Sequence, residues 1–205
     1  MSGNYNRKDH LYEKAKEQGY RSRAAFKLQE LNQKYCLVKH DTKIIDLGAW
    51  PGGWMQVSAE LIGTGGVVVG IDLVEIDKFS HPRVHVLQGD VREELVIKQA
   101  LGLAGGRFDV VLSDMSPKLC GIPEVDRYAA VGLNELAAWA CGYTLRQGGN
   151  FVVKVFKSNE AEQFVKSIRP LFNKVVRSEL DATRKTSNEF YVVGLGYKGP
   201  SQELA

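Results

Sequence analysis

Apolar positions along the 205-residue chain come in short dense blocks set apart by Gly, Pro and Asp. Seven blocks, rich in β-branched residues, read as strands: Lys43–Leu47, Val67–Ile71, Val84–Leu87, Phe108–Ser113, Asn150–Phe156, Lys174–Ser178 and Phe190–Leu195. Helix-like stretches lie among them at Trp54–Ile62, Arg92–Leu101, Tyr128–Leu145 and Glu160–Leu171. Alternation of this kind predicts an α/β fold whose mostly parallel sheet carries helices on both faces. Thr183–Asn188 is too short for a crossover helix, so the last two strands should run antiparallel. Ahead of the first strand, Ser22–Tyr35 predicts a helix with Ser22 as its N-cap. Ala24, Leu28, Leu31 and Tyr35 form its apolar face, and Arg23, Lys27, Glu30 and Lys34 lie beside that face. Lys27 therefore belongs to a packed helix. There is no internal repeat or linker. A single domain over 1–205 is expected, with a basic N-terminal helical segment over about 1–40 and a short frayed tail after Tyr197.

Composition narrows the class. Hydrophobic residues at 44% and charged residues at 25% are ordinary for a soluble domain. No apolar run approaches the ~20 residues of a membrane helix, and the polar start MSGNYNRKDH offers no signal peptide. The three cysteines, Cys36, Cys120 and Cys141, are scattered. They suggest neither a disulfide framework nor a metal site, and they suit a reducing cytoplasm. The net charge is +3, yet residues 1–40 alone carry +5, and no Lys or Arg stands between Lys43 and Lys78. A basic arm beside an uncharged-to-acidic pocket region suits a polyanion and a separate small ligand; a solvated helical face explains the charge equally well.

The strongest local motif is Asp46-Leu47-Gly48-Ala49-Trp50-Pro51-Gly52-Gly53-Trp54, between the first strand and a helix. In an open α/β sheet, ligands bind at such turns, where Gly48, Gly52 and Gly53 allow close backbone approach. The spacing is not G-x-G-x-x-G, which counts against a dinucleotide pyrophosphate seat. Asp72 ends the second strand and has the position to accept both ribose hydroxyls of an adenosine; Asp90 ends the third and has the position to receive the adenine amino group. Each acid alone is equally compatible with a cap or turn role. Three successive strand-end acids beside a glycine turn make coincidence harder to sustain.

Asp114 ends the fourth strand, in Ser113-Asp114-Met115-Ser116-Pro117, and should face the same crevice. Lys154 interrupts the otherwise apolar Phe151-Val152-Val153-Lys154-Val155-Phe156, so it needs a partner or a task, unless its stem simply reaches solvent. Glu189, by position alone, is equally an exposed edge-strand acid.

With these residues in place the sequence resembles the FtsJ/RrmJ (RlmE) family of ribosomal RNA 2′-O-methyltransferases, from about Tyr20 to Gly196. The motifs that carry the likeness are Arg21–Leu28, Asp46–Trp54, Asp72-Leu73, Leu87–Asp90, Ser113–Pro117, Val152–Phe156 and Ser187–Tyr191. The resemblance implies a Rossmann-like class I methyltransferase fold and S-adenosyl-L-methionine as methyl donor. It implies the tetrad Lys27, Asp114, Lys154 and Glu189, and cofactor contacts at Gly52, Trp54, Asp72, Asp90 and Asp114. Its implied substrate is a uridine ribose of 23S ribosomal RNA within the large subunit. A monomer is expected, and no metal. The chain departs from the family pattern at Trp50, where a small residue is common: that side chain either crowds the methionine end of the cofactor or turns away into the protein.

The chemistry needs a ribose hydroxyl aligned with a sulfonium methyl and its proton managed. Lys154 is expected to deprotonate or steer the hydroxyl, Asp114 to orient Lys154, and Lys27 and Glu189 to tune charge and position the ribose. Arg21, Arg23 and Lys34 are expected to hold RNA phosphates. Alternatives stay open: another RNA such as tRNA or a cap, a noncatalytic RNA-binding ribosome-assembly factor, or an NAD(P)-linked oxidoreductase on the same fold.

Overall fold

The computed structural model describes residues 10–184 and 186–199. The first part of the expected basic segment and most of the expected C-terminal tail lie outside the described residues. The strands are β1 (Lys43–Leu47), β2 (Val67–Asp72), β3 (Val84–Gln88), β4 (Phe108–Ser113), β5 (Leu145–Phe156), β6 (Phe172–Ser178) and β7 (Glu189–Tyr197). The helices are α1 (His10–Glu17), α2 (Ala25–Tyr35), α3 (Gly53–Leu61), α4 (Glu94–Ala104), α5 (Pro123–Thr144) and α6 (Asn159–Ile168), the last followed by a 3-10 turn.

One sheet holds all seven strands in the order β3-β2-β1-β4-β5-β7-β6. Pairing is parallel from β3 through β5, and β7 runs antiparallel to both β5 and β6. The α/β expectation, the seven strands and the antiparallel C-terminal pair are all observed. Burial explains why the central strands read as near-continuous apolar runs. Val67–Ile71 is buried on both faces, because helices cover each side.

The two faces sort by residue parity. On one, Ile45, Leu47, Val111, Phe151, Val153 and Val155 pack against α4, α5 and α6; on the other, Ile44, Val110, Leu112, Val152, Tyr191 and Val193 pack against α2 and α3. Side chains alternate along a strand. Asp46, Asp114, Lys154, Glu189 and Tyr191 therefore share the α2–α3 face, all near one edge of the sheet. β7 runs backwards, so its first residue lies where β4 and β5 end. Leu28 and Leu31 are fully buried on this face, and their helix carries Lys27 to the same place.

Among the boundaries that differ from the sequence reading, three stand out. α2 starts at Ala25, and Ser22 is not its cap: Ala24 holds the cap position without a side-chain hydrogen bond, and Ala25 N–H donates to the Ser22 carbonyl. Ser22 is instead drawn onto the glycine loop. Its Oγ lies 2.3 Å from where a Cβ on Gly53 would be. α5 starts five residues early, at Pro123, a residue suited to a first helical turn. β5 also begins early, continuing directly from α5 at Leu145.

Candidate active site

β1 and β4 are adjacent, and the chain leaves them in opposite directions across the sheet: β1 leads to β2, β4 to β5. That reversal opens a crevice at their carboxyl ends, where ligands of open α/β sheets bind. A cavity of about 600 Å³ lies there. Gly48, Trp50, Asp72, Asp90 and Asp114 border it, with Ile71, Leu73, Val91, Leu133 and Leu136 among its apolar walls. Its size falls in the range of small-molecule sites. Apolar walls with carboxylates at three strand ends fit a nucleoside joined to a charged tail.

Gly48 shapes this wall twice. Its φ of +74° is left-handed, and a Cβ there would stand 2.5 Å from the Met115 Cγ; only glycine satisfies both conditions. Asp72 accepts the Trp50 N–H on Oδ2 and the Val74 N–H on Oδ1, each at 2.9 Å, so the acid fixes the loops on either side of itself. Asp90 is bound by Arg92 through its backbone N–H and its guanidinium, contacts that hold the carboxyl below its usual range.

The remaining glycine-motif candidates look the other way. A Cβ on Gly52 would come within 2.9 Å of both Arg21 and Phe79, so this glycine makes room for the segment before α2. Trp54 is buried, donates its indole N–H to the Ala24 carbonyl at 2.8 Å, and packs 5.8 Å from the Tyr191 ring. Gly52, Gly53 and Trp54 thus hold the 21–24 segment, while Gly48, Asp72, Asp90 and Asp114 face the cavity. The three basic candidates for phosphate are also engaged within the protein. Arg21 donates to the Asp77 and Lys78 carbonyls and lies 3.8 Å from the Phe79 ring centroid. Arg23 donates to the Ala182 carbonyl, and Lys34 pairs with Glu30.

The four residues of the expected centre come together as two ion pairs. Lys27 binds Glu189 Oε1, and the Ser187 hydroxyl donates to Glu189 Oε2 at 2.8 Å. Lys154, only 7% exposed, stands 3.2 Å from Asp114 Oδ1 and donates to the Asp114 carbonyl at 2.7 Å. Tyr191 joins the pairs, a role the sequence reading missed. It lies directly across from Lys154 in the β5–β7 register, and its hydroxyl donates to Asp114 Oδ1 at 2.7 Å. The Lys27 Nζ sits 5.5 Å from its ring centroid. The available signal was strand period: Tyr191 is two residues beyond Glu189 and must share its face.

Electrostatics follow from this packing. Burial alone would raise the Asp114 carboxyl, but the charges of Lys154 and Lys27 and the Tyr191 hydroxyl outweigh it and hold Asp114 below its usual range. Tyr191 is pushed well above the phenol range by burial, then by the charges of Asp114 and Glu189. Asp46, beneath the centre on β1, is 1% exposed, and neither carboxyl oxygen meets a hydrogen-bond partner among the described residues. Burial and the nearby charges of Asp114 and Asp72 push it well above the carboxylate range. Among the described residues no group of His, Cys, Asp and Glu could hold a metal ion, and no helix is long and apolar enough to cross a membrane.

Comparison with known proteins agrees with this geometry. The sequence profile of the FtsJ-like methyltransferase family matches residues 20–197. The chain is 41% identical over 187 residues to a ribosomal RNA large subunit methyltransferase E of Methanothrix thermoacetophila, covering 91% of this chain and 72% of that protein. It is 40% identical over 195 residues to the protein of the same name in Pseudomonas fluorescens, covering 95% and 92% respectively. In structure it resembles a ribosomal RNA methyltransferase crystal structure from Plasmodium falciparum, with a TM-score of 0.77 at 27% identity, covering 88% of this chain and 100% of that one.

Proposed function

This chain belongs to the FtsJ-like methyltransferase family, and on that footing we propose that it methylates ribosomal RNA at a ribose 2′-hydroxyl, with S-adenosyl-L-methionine as donor. The substrate we favour is a uridine of 23S RNA in the large ribosomal subunit, modified by a monomer in the cytoplasm. The observation that carries this reading is the placement of Lys154. A lysine on a buried strand is paired to Asp114, the strand-end carboxylate that borders the cavity between β1 and β4. The donor would lie between Asp72 and Asp90 at one end and Gly48 and Asp114 at the other. When bound it supplies a methyl group on a sulfonium, an already activated leaving group.

The protein's own task is the hydroxyl. Two of the Lys154 donor directions are spent on Asp114, one on its carbonyl and one on Oδ1. An ammonium has three donors, so one remains to hold the ribose oxygen; a neutral amine has two, so its lone pair remains to take the hydroxyl proton. In either form Asp114 aims the free position of Lys154 at the substrate. With Lys154 as the neutral amine, the proton passes to it as the oxygen gains its methyl group, and the Asp114 carboxylate stabilises the resulting ammonium; with Lys154 as the ammonium, it holds the oxygen in line and the proton leaves to solvent. Lys27 and Glu189 fix the far side of the ribose. Positioning of two reactants accounts for up to about 7–11 kcal/mol in favourable cases. A general base typically adds about 10²–10⁴-fold.

The test is tritiated-methyl transfer to large-subunit particles from cells lacking the protein, followed by mapping of ribose methylation. Lys154→Ala should lose about 10²–10⁴-fold in transfer while still binding S-adenosylhomocysteine. Full activity in that variant would overturn the role of Lys154, and label on a base nitrogen would overturn the 2′-hydroxyl.

A further inference from the structure

The glycine loop contains two tryptophans with opposite environments. Trp54 is buried and hydrogen-bonded. Trp50 is 56% exposed. Among the described residues its indole nitrogen has no hydrogen-bond partner and its ring stacks on no other ring. The backbone beneath it is nevertheless fixed: Trp50 N–H donates to Asp72, and the Gly48 and Ala49 N–H groups donate to the Ile71 carbonyl. A large aromatic held in water on a rigid loop contributes little to the core, and such side chains in pocket walls commonly meet a ligand.

Its location narrows the ligand. Trp50 borders the large cavity and also the narrow gap bounded by Asp114, Ala24 and Trp54. It therefore stands at the boundary between the donor cavity and the ion-paired centre. Leu73, 65% exposed, borders the same cavity, and Val74, 52% exposed, follows it with its N–H held by the same Asp72. This trio is apolar, and Asp90 and Arg92, which border the same cavity, are paired to each other. It offers nothing to a phosphate, but it suits the face of a nucleobase. RNA is read largely through unpaired bases splayed onto aromatic side chains, and every base presents a π-face to such a platform.

We propose that Trp50 is a stacking platform for an unpaired base of the RNA substrate, at or beside the nucleotide whose ribose reaches Lys154. This rests on the RNA-methylating reading above. Stacking on a ring carried by a fixed backbone holds the nucleotide near the centre and so registers its ribose.

The test measures the KM for large-subunit particles from cells lacking the protein, and separately the Kd for S-adenosylhomocysteine by calorimetry. The variants are Trp50→Ala, Trp50→Leu and Trp50→Phe. Loss of one stacked base should raise the KM of the alanine and leucine variants by about 5- to 140-fold. The phenylalanine variant should recover to within a few-fold of wild type, and all three should bind S-adenosylhomocysteine as wild type does, which also shows that they fold. An alanine variant with wild-type KM overturns the proposal. So does a leucine variant equal to the phenylalanine variant, since bulk would then suffice. A parallel loss of S-adenosylhomocysteine affinity would assign Trp50 to the donor site instead and overturn it as well. A wild-type protein that transfers nothing to the particles overturns both this inference and the function it rests on, whereas an active wild type confines any failure to Trp50.

Discussion

Tyr191→Phe removes one oxygen atom from the middle of the centre and leaves the packed ring in place. The lost interaction is the 2.7 Å hydrogen bond to Asp114 Oδ1. A hydrogen bond to a charged group contributes about 1.5–3 kcal/mol. At 1.36 kcal/mol per pKa unit, its loss should raise the Asp114 carboxyl by about 1–2 units. In the folded wild type that group lies below its unfolded value. It thus adds stability above the unfolded carboxyl range, and this is lost as pH falls through the folded value. The substitution shrinks that contribution, so at neutral pH the variant should unfold about 3–12 °C earlier, taking 2–4 °C per kcal/mol for a chain of this size. The acid limb of the transfer rate should move up by the same 1–2 units, because Lys154 loses its carboxylate sooner. The assays are thermal unfolding and single-turnover methyl transfer, both followed from about pH 3 upward so that an acid limb set by Asp114 falls within the range. A merely structural role would lower the melting temperature and leave the acid limb where it was. An unmoved acid limb would therefore refute the claim that Tyr191 holds Asp114 ionised.

Asp46→Asn tests the neutral carboxyl beneath the centre. Asp46 is raised in the folded state, so its contribution to stability is fully present below the unfolded range near 3.9 and is lost with rising pH at about 1.4 kcal/mol per unit while only the unfolded chain ionises. The variant should match wild type near pH 4 and unfold at a higher temperature at pH 7–8; equal melting temperatures at both would show that Asp46 is not neutral when folded. Lys27→Met strands Glu189, whose side chain is 10% exposed, and should cost about 3–5 kcal/mol in urea unfolding. The double variant Lys27→Met/Glu189→Gln should recover most of that, and if it is no more stable than the single one the pair is not coupled.

Much of the scaffold was readable because hydrophobic burial leaves a period. β1 and β4 appear in the sequence at their observed limits, since each ends against a Gly or Asp and is buried at all but one position. Ends set by other forces were not readable. α5 runs back to Pro123 through exposed residues that carry no apolar stripe, and Ser22 leaves its cap position because Gly53 offers it a seat. At the site, Asp114 and Lys154 stand out as polar residues in apolar strands. The glycine motif was visible as a unit, but its division was not: which glycines face the cavity and which face Arg21 and Ser22 depends on a segment packed from outside the motif. Arg21, Arg23 and Lys34 show the same limit. Charge is legible in sequence, whereas the carbonyls and carboxylates that occupy it are distant in the chain.

The three-dimensional arrangement also explains why Asp46 and Asp114 differ so sharply. They sit on the same face of adjacent parallel strands, with Asp46 level with Leu112 and Asp114 just beyond the Leu47–Ser113 pair. Two carboxylates this near in a low-dielectric site do not both ionise readily. Asp114 favours the charged form because Lys154, Lys27 and the Tyr191 hydroxyl all stabilise it; Asp46 has no hydrogen-bonding partner among the described residues, and burial pushes it toward the protonated form. The result is a centre of two Lys–carboxylate pairs, Lys27 with Glu189 and Lys154 with Asp114, above a buried acid that has no such partner. A second charge on Asp46 would compete with Asp114 for Lys154, so burial of Asp46 without a partner favours the Lys154–Asp114 pair.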